Sequence, residues 1–226
     1  MRRKLRWLCT LAVTLVATGL GVSSASASSY LLDYVGYSYY TQAGTCFNAV
    51  GFVPEANATY LAFNHSANEY TFSLKDVCFV SADTVGTHVI HTYSNGTLDV
   101  YCDSKTTGTP ADYSTNPPNG TSPGTFEDGD NVLGGSVSTL TVVIDLSTGT
   151  GDFSGEITVD RGSSLGNIPP DQRSGWTISG ISTVAPGIPT GYFGQVDGQI
   201  FLDCPTGTEA KSWGAIKKSL NEEGQN

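Results

Sequence analysis

The chain has 226 residues, with 11 basic against 21 acidic side chains for a formal net charge of −10, and 38% of its residues are hydrophobic. A surface this acidic repels phosphate backbones and anionic lipid, so nucleic acid is excluded as a partner and membrane insertion is not expected. The same charge is what solubility outside a cell requires.

Residues 1–27 read as a secretory signal peptide. A basic head (Arg2, Arg3, Lys4, Arg6) precedes an apolar run from Trp7 to Val22, and Ala25-Ser26-Ala27 makes a small-residue cleavage site. Cleavage before Ser28 removes four bases and no acid, leaving seven bases against 21 acids and a net charge of −14. The expected destination is extracellular or periplasmic. Cys9 leaves with the signal, and Cys46, Cys78, Cys102 and Cys204 remain. An even number of cysteines in an exported chain implies disulfides, here two bridges with three possible connectivities. Three of the four lie before residue 105, so complete pairing sends one bridge to Cys204 and ties the two halves into a single domain over residues 28–204. Zinc is disfavoured because no two of these cysteines stand close in sequence.

Along the mature chain, YLLDYVGYSYY (30–40) alternates Val35, Tyr37 and Tyr39 on one face with Tyr34, Gly36, Ser38 and Tyr40 on the other. A second strand, FNAVGFV (47–53), ends at Pro54. ATYLAFNH (58–65) and EYTFSL (69–74) read as a hairpin, and so do Thr87–Ser94 and Thr97–Asp103 around Asn95-Gly96, a pair suited to a type I′ turn. Residues 104–125 are rich in Pro, Gly, Ser and Thr and read as a long surface connection.

The clearest pattern runs from Thr139 to Asp160. Leu140, Val142, Ile144 and Leu146 alternate on one side of a Gly-rich break; Phe153, Gly155, Ile157 and Val159 alternate on the other. A register pairing Leu146 with Phe153 gathers these on one face and leaves Asp145 and Glu156 on a wet one. Further strands are expected near 174–181 and 195–202. The tail, 205–226, reads as a short amphipathic helix capped by Ser212, with Trp213, Ile216 and Leu220 on one stripe. About ten short strands with turn signals between them predict an all-β fold: an antiparallel β-sandwich of jelly-roll type, with a closed β-barrel as second choice.

Sites are sparse. Gly120-Thr121-Ser122-Pro123-Gly124 matches the GxSxG pattern of serine hydrolases. It has neither the strand before nor the helix after, and Pro123 has no N–H for an oxyanion. His88 and His91, three apart on a strand, fall on opposite faces. Glu127, Asp128 and Asp130 concentrate carboxylates beside a glycine as calcium loops do, so calcium is the one cofactor considered, with an Asp-Gly turn as the plain alternative. Tyr37, Tyr39, Tyr101 and Trp176 are candidate platforms for a glycan or cell-surface ligand. The sequence therefore reads as a secreted, disulfide-stabilised module for adhesion or carbohydrate binding, without enzymatic activity. Two alternatives stand beside it: a carbohydrate-active hydrolase using paired carboxylates, and a structural envelope or matrix component.

Overall fold

The computed structural model describes residues 29–41, 45–113, 124–184 and 186–202. The expected signal peptide, residues 114–123 of the long connection, Cys204 and the expected tail helix lie outside the described residues. The described chain forms eight strands: β1 (Ser29–Thr41), β2 (Cys46–Ala56), β3 (Asn68–Val85), β4 (His88–Ser104), β5 (Asp130–Asp145), β6 (Thr150–Arg161), β7 (Trp176–Thr183) and β8 (Gly194–Leu202). Each pairs antiparallel with the next, and β8 pairs back onto β1 to close a barrel. The expected sandwich is not formed. Each one-sided apolar strand does need a partner surface, but the sheet supplies it by curling onto itself. At eight strands, side chains alone fill such an interior. Register shifts interrupt most of the ladders, at Tyr30/Leu32, Phe47/Ala49, Phe79/Ser81 and Val137/Thr139 among others. Bulges of this kind add the local twist and bend that closure demands.

Four local expectations change. Asn95-Gly96 is not a hairpin turn but a kink inside β4, where Asn95 takes φ 64° opposite Asp76 at φ 56°. A side chain on Gly96 would strike Val77 and the Lys75 carbonyl, so glycine serves the close approach of β3 there. The hairpin turn lies earlier, at Gly86-Thr87, with β3 running 18 residues up to it. Residues 57–67 form turns rather than a strand. β2 continues past Pro54, because its pairing with β3 stops at Phe52 and no ladder bond is lost. The β5–β6 hairpin pairs Asp145 with Thr150 and Val142 with Phe153. That register differs from the expected one by an even step, so the inner and outer faces are as read while Leu146 lies in the turn, exposed.

The inner face carries the core, including Leu32, Tyr34, Phe72, Leu98, Leu140, Phe153, Ile157, Ile178 and Ile200, all buried. The void between Leu32, Leu98, Ile157 and their neighbours amounts to about 10 Å³, the limit of what one water needs. β6 alternates strictly, with Phe153, Ile157 and Val159 inward and Asp152, Ser154, Glu156 and Thr158 in solvent. The polar face of β6 is thus outside, and no helix among the described residues is long and apolar enough to cross a bilayer. Cys46 and Cys78 are directly paired across β2 and β3 and form a disulfide.

Candidate functional site

Three places gather functional side chains: the plugged end of the barrel, its outer wall and its opposite mouth. At the plugged end, Trp176 begins β7 and is fully buried. Its indole N–H donates to the Gln172 carbonyl at 2.6 Å, and Tyr60 packs perpendicular to it at 5.8 Å. The Tyr60 hydroxyl donates to Oε1 of Gln172, and Nδ2 of Asn167 donates to the Tyr60 carbonyl. Trp176 therefore presents no surface to a ligand.

On the outer wall, Tyr37 and Tyr39 of β1 do lie on one face, as the alternation requires, but loops cover them. Tyr113 meets Tyr37 edge-on at 4.7 Å, and Tyr192 packs on Tyr37 and Tyr39 at 5.8 and 5.7 Å. Phe126 and Val50 complete this cluster, in which Tyr39 is 2% exposed. Burial pushes the Tyr39 and Tyr113 phenols far up and raises Tyr192 to about 12. The aromatic strip is a second, small core outside the barrel.

Tyr101, on β4, belongs to a different group. Burial first, then the nearby carboxylates of Asp99 and Glu127, raise its pKa against the opposing pull of Lys75 and Arg161. Glu127 is held at both oxygens: Oε1 accepts from Ser73 Oγ at 2.6 Å and Oε2 from Lys75 Nζ at 2.8 Å. Arg161 reaches over the glycines of β5 to donate to both oxygens of Asp99, and Nδ2 of Asn131 donates to the same carboxylate. These contacts pin residues 124–131 to the wall. The calcium constellation does not assemble, since Glu127 faces Lys75 and Ser73 while Asp128 and Asp130 point to solvent. No group of three or more metal-ligating side chains comes together among the described residues.

The mouth lies where β1, β5 and β7 end and β2, β6 and β8 begin. Here the inner face opens on a cavity of about 120 Å³. Tyr40, Phe47, Val142, Ile144, Val184 and Phe193 make its apolar wall, and Ser38, Ser182 and Gly194 its polar corner. Phe193 and Phe47 meet Tyr40 edge-on at 5.1 and 5.9 Å. The Ser38 hydroxyl donates to the Gly194 carbonyl at 3.2 Å, and Oγ of Ser182 occupies the space where a side chain on residue 194 would stand. The rim is apolar and wet at once, with Leu146 63%, Val184 76% and Phe193 57% exposed. Among the described residues, none that lines the mouth is charged. Comparison with protein-family models, curated proteins and solved structures finds no match.

Beyond the lining, the Tyr93 hydroxyl bonds to Tyr40 and lies 3.2 Å from His91 Nδ1, and burial raises the Tyr93 phenol. His91 is half-buried against Phe79 and Tyr93, while His88 is exposed and pairs with Asp145 across to β5. Asp145 accepts both the Ser147 amide and hydroxyl, which lower its pKa, and His88 adds to this. Glu156 is exposed beside Thr139, well down the wall from Asp145. The two carboxylates considered for glycosidic chemistry therefore do not face a common cleft. Sequence reasoning passed over the mouth. Its signal was Phe193, an aromatic side chain inside a Gly- and Pro-rich loop, and the glycines flanking β6 and β8.

Proposed function

We propose that this protein is an exported, non-enzymatic binding protein that holds its ligand in the open mouth of the barrel. One observation carries the reading: an apolar, uncharged cavity with two hydroxyls at one corner opens to solvent at the only end of the scaffold that is not plugged by described residues. Barrel mouths are recurrent ligand sites, and mostly apolar pockets with a few placed polar groups are the usual chemistry. The Cys46–Cys78 bridge is compatible with an oxidising destination, and the first 27 residues support export. Amide NMR on the exported chain, titrated with a panel of glycans and small apolar molecules, tests it. Shifts at Ser38, Gly151, Ser182 and Gly194 without turnover are the expected result. Shifts confined to the outer wall, or conversion of any compound, would overturn it.

A second reading, a structural component that self-associates, has its own observation. Beyond Phe79, β3 pairs only with β4 among the described residues, and Val80 and Val85 are exposed on that free edge. Sedimentation at increasing concentration separates the two readings, since the binding protein stays monomeric.

A further inference from the structure

Resting on the mouth as the binding site, we infer that its ligand is a small neutral amphiphile: one ring, or a short branched chain, bearing a single hydroxyl or carbonyl. Volume sets the size. An apolar cavity of about 150 Å³ takes up one benzene ring, and the mouth offers about 120 Å³. A flat sugar face needs a broad exposed aromatic platform; the mouth offers the single exposed ring of Phe193, and the larger aromatic clusters are covered by Tyr113, Tyr192 and Tyr60.

Charge sets the class. The described lining residues include no cation to meet a carboxylate or phosphate, and the strands around them carry Asp145 and Asp152 on their outer faces. An anion entering would be desolvated without a partner, which costs far more than a ring gains. A cation would find no carboxylate inside. The polar corner sets the functional group. Ser38 already donates to Gly194, so it has lone pairs to offer, whereas the Ser182 hydroxyl stands beside it with its rotor able to donate or accept. A ring stacked along Tyr40, Phe47 and Ile144 places one polar substituent at that corner. The wet rim at Leu146, Val184 and Phe193 receives whatever the ring carries on its other side.

The test uses 4-methylphenol, toluene and benzoate as probes on the full exported chain, followed by amide NMR. Saturable shifts at the mouth with 4-methylphenol, weaker ones with toluene and none with benzoate are expected. Ser182→Ala lowers affinity for 4-methylphenol about tenfold, the worth of one good hydrogen bond, and leaves toluene unchanged. Ile144→Trp fills the cavity and abolishes both; Val184→Trp, on the exposed rim, does the same without touching the core should the first variant fail to fold. Benzoate binding as tightly as 4-methylphenol, or no effect of Ser182→Ala, refutes the ligand class. If a glycan or a charged compound shifts the same residues while the neutral rings do not, the mouth reading survives and this inference falls. No mouth shift with any compound defeats both.

Discussion

The same eight strands end in two different ways. At one end, the connections 57–67 and 162–175 are long and carry Leu61, Leu165 and Ile168, which fold inward with Trp176 and seal the core. At the other, the turns at Gly86-Thr87 and at Leu146–Gly149 are too short to cross the opening. The one long connection there, 184–193, sends Ile188 and Tyr192 onto the outer wall instead. The contrast is one of side-chain supply. A barrel end closes when a loop brings enough apolar surface to outweigh the entropy of ordering it over the opening, and stays open when that surface is satisfied elsewhere. The aromatic cluster of Tyr37, Tyr39, Tyr113 and Tyr192 thus keeps the mouth clear by holding that loop aside.

The sharpest way to break this comparison is to truncate one large ring at each end. Trp176→Ala removes a fully buried indole and is expected to cost about 3–5 kcal/mol in chemical denaturation. Next comes the clamp beside the mouth. Replacing Cys46 and Cys78 by serine opens a loop spanning 32 residues and is expected to cost about 2–4 kcal/mol. Peptide mapping without reductant should find this bridge; if residues 1–27 are removed as a signal, four cysteines remain and Cys102 is expected to pair with Cys204, so a free Cys102 thiol in the mature chain would contradict that second pairing.

A third effect appears only in alkali. Tyr30 and Tyr192 are raised from 10.0 to about 12, with burial the main cause for both, and Tyr34, Tyr39, Tyr93 and Tyr113 are raised too. Tyrosine is neutral when protonated, so the native state keeps protons that the unfolded chain releases from about pH 10 upward. Their contribution to stability is intact below that point and is lost as the pH climbs through about 12. Tyrosinate absorbance should rise together with loss of structure, not ahead of it. Early ionisation without unfolding would mean that the outer cluster is open to solvent. The smallest change is Phe193→Ala at the mouth, expected to alter stability by less than about 1 kcal/mol because the ring is 57% exposed. A cost matching that of Trp176→Ala would erase the distinction between the ends.

Much of the wall was legible and little of the site. Val35/Tyr37/Tyr39 against Tyr34/Ser38/Tyr40 and the two faces of Thr139–Asp160 follow from period-two alternation, which is local. The turn at Gly86-Thr87 was hidden because Asn95-Gly96 carries a stronger turn signal that long-range pairing with β3 overrides. The tyrosines of β1 and Trp176 looked like platforms because nothing local reveals that residues 111–113, 126 and 188–192 lie over the first or that Tyr60 and Gln172 enclose the second.

By itself the sequence determined that the protein is all-β, which side chains share a face, and an acidic polar exterior. The first two depend on neighbours two residues apart, and the third on composition. Closure into a barrel rather than a sandwich, the Cys46–Cys78 pairing and the choice of which end stays open were decided only in three dimensions. The bridge depends on the β2–β3 register, which sets two cysteines 32 positions apart side by side, and the other two depend on β8 meeting β1 and on where the loops spend their apolar side chains, contacts between residues more than a hundred positions apart. The mouth is the sum of those decisions.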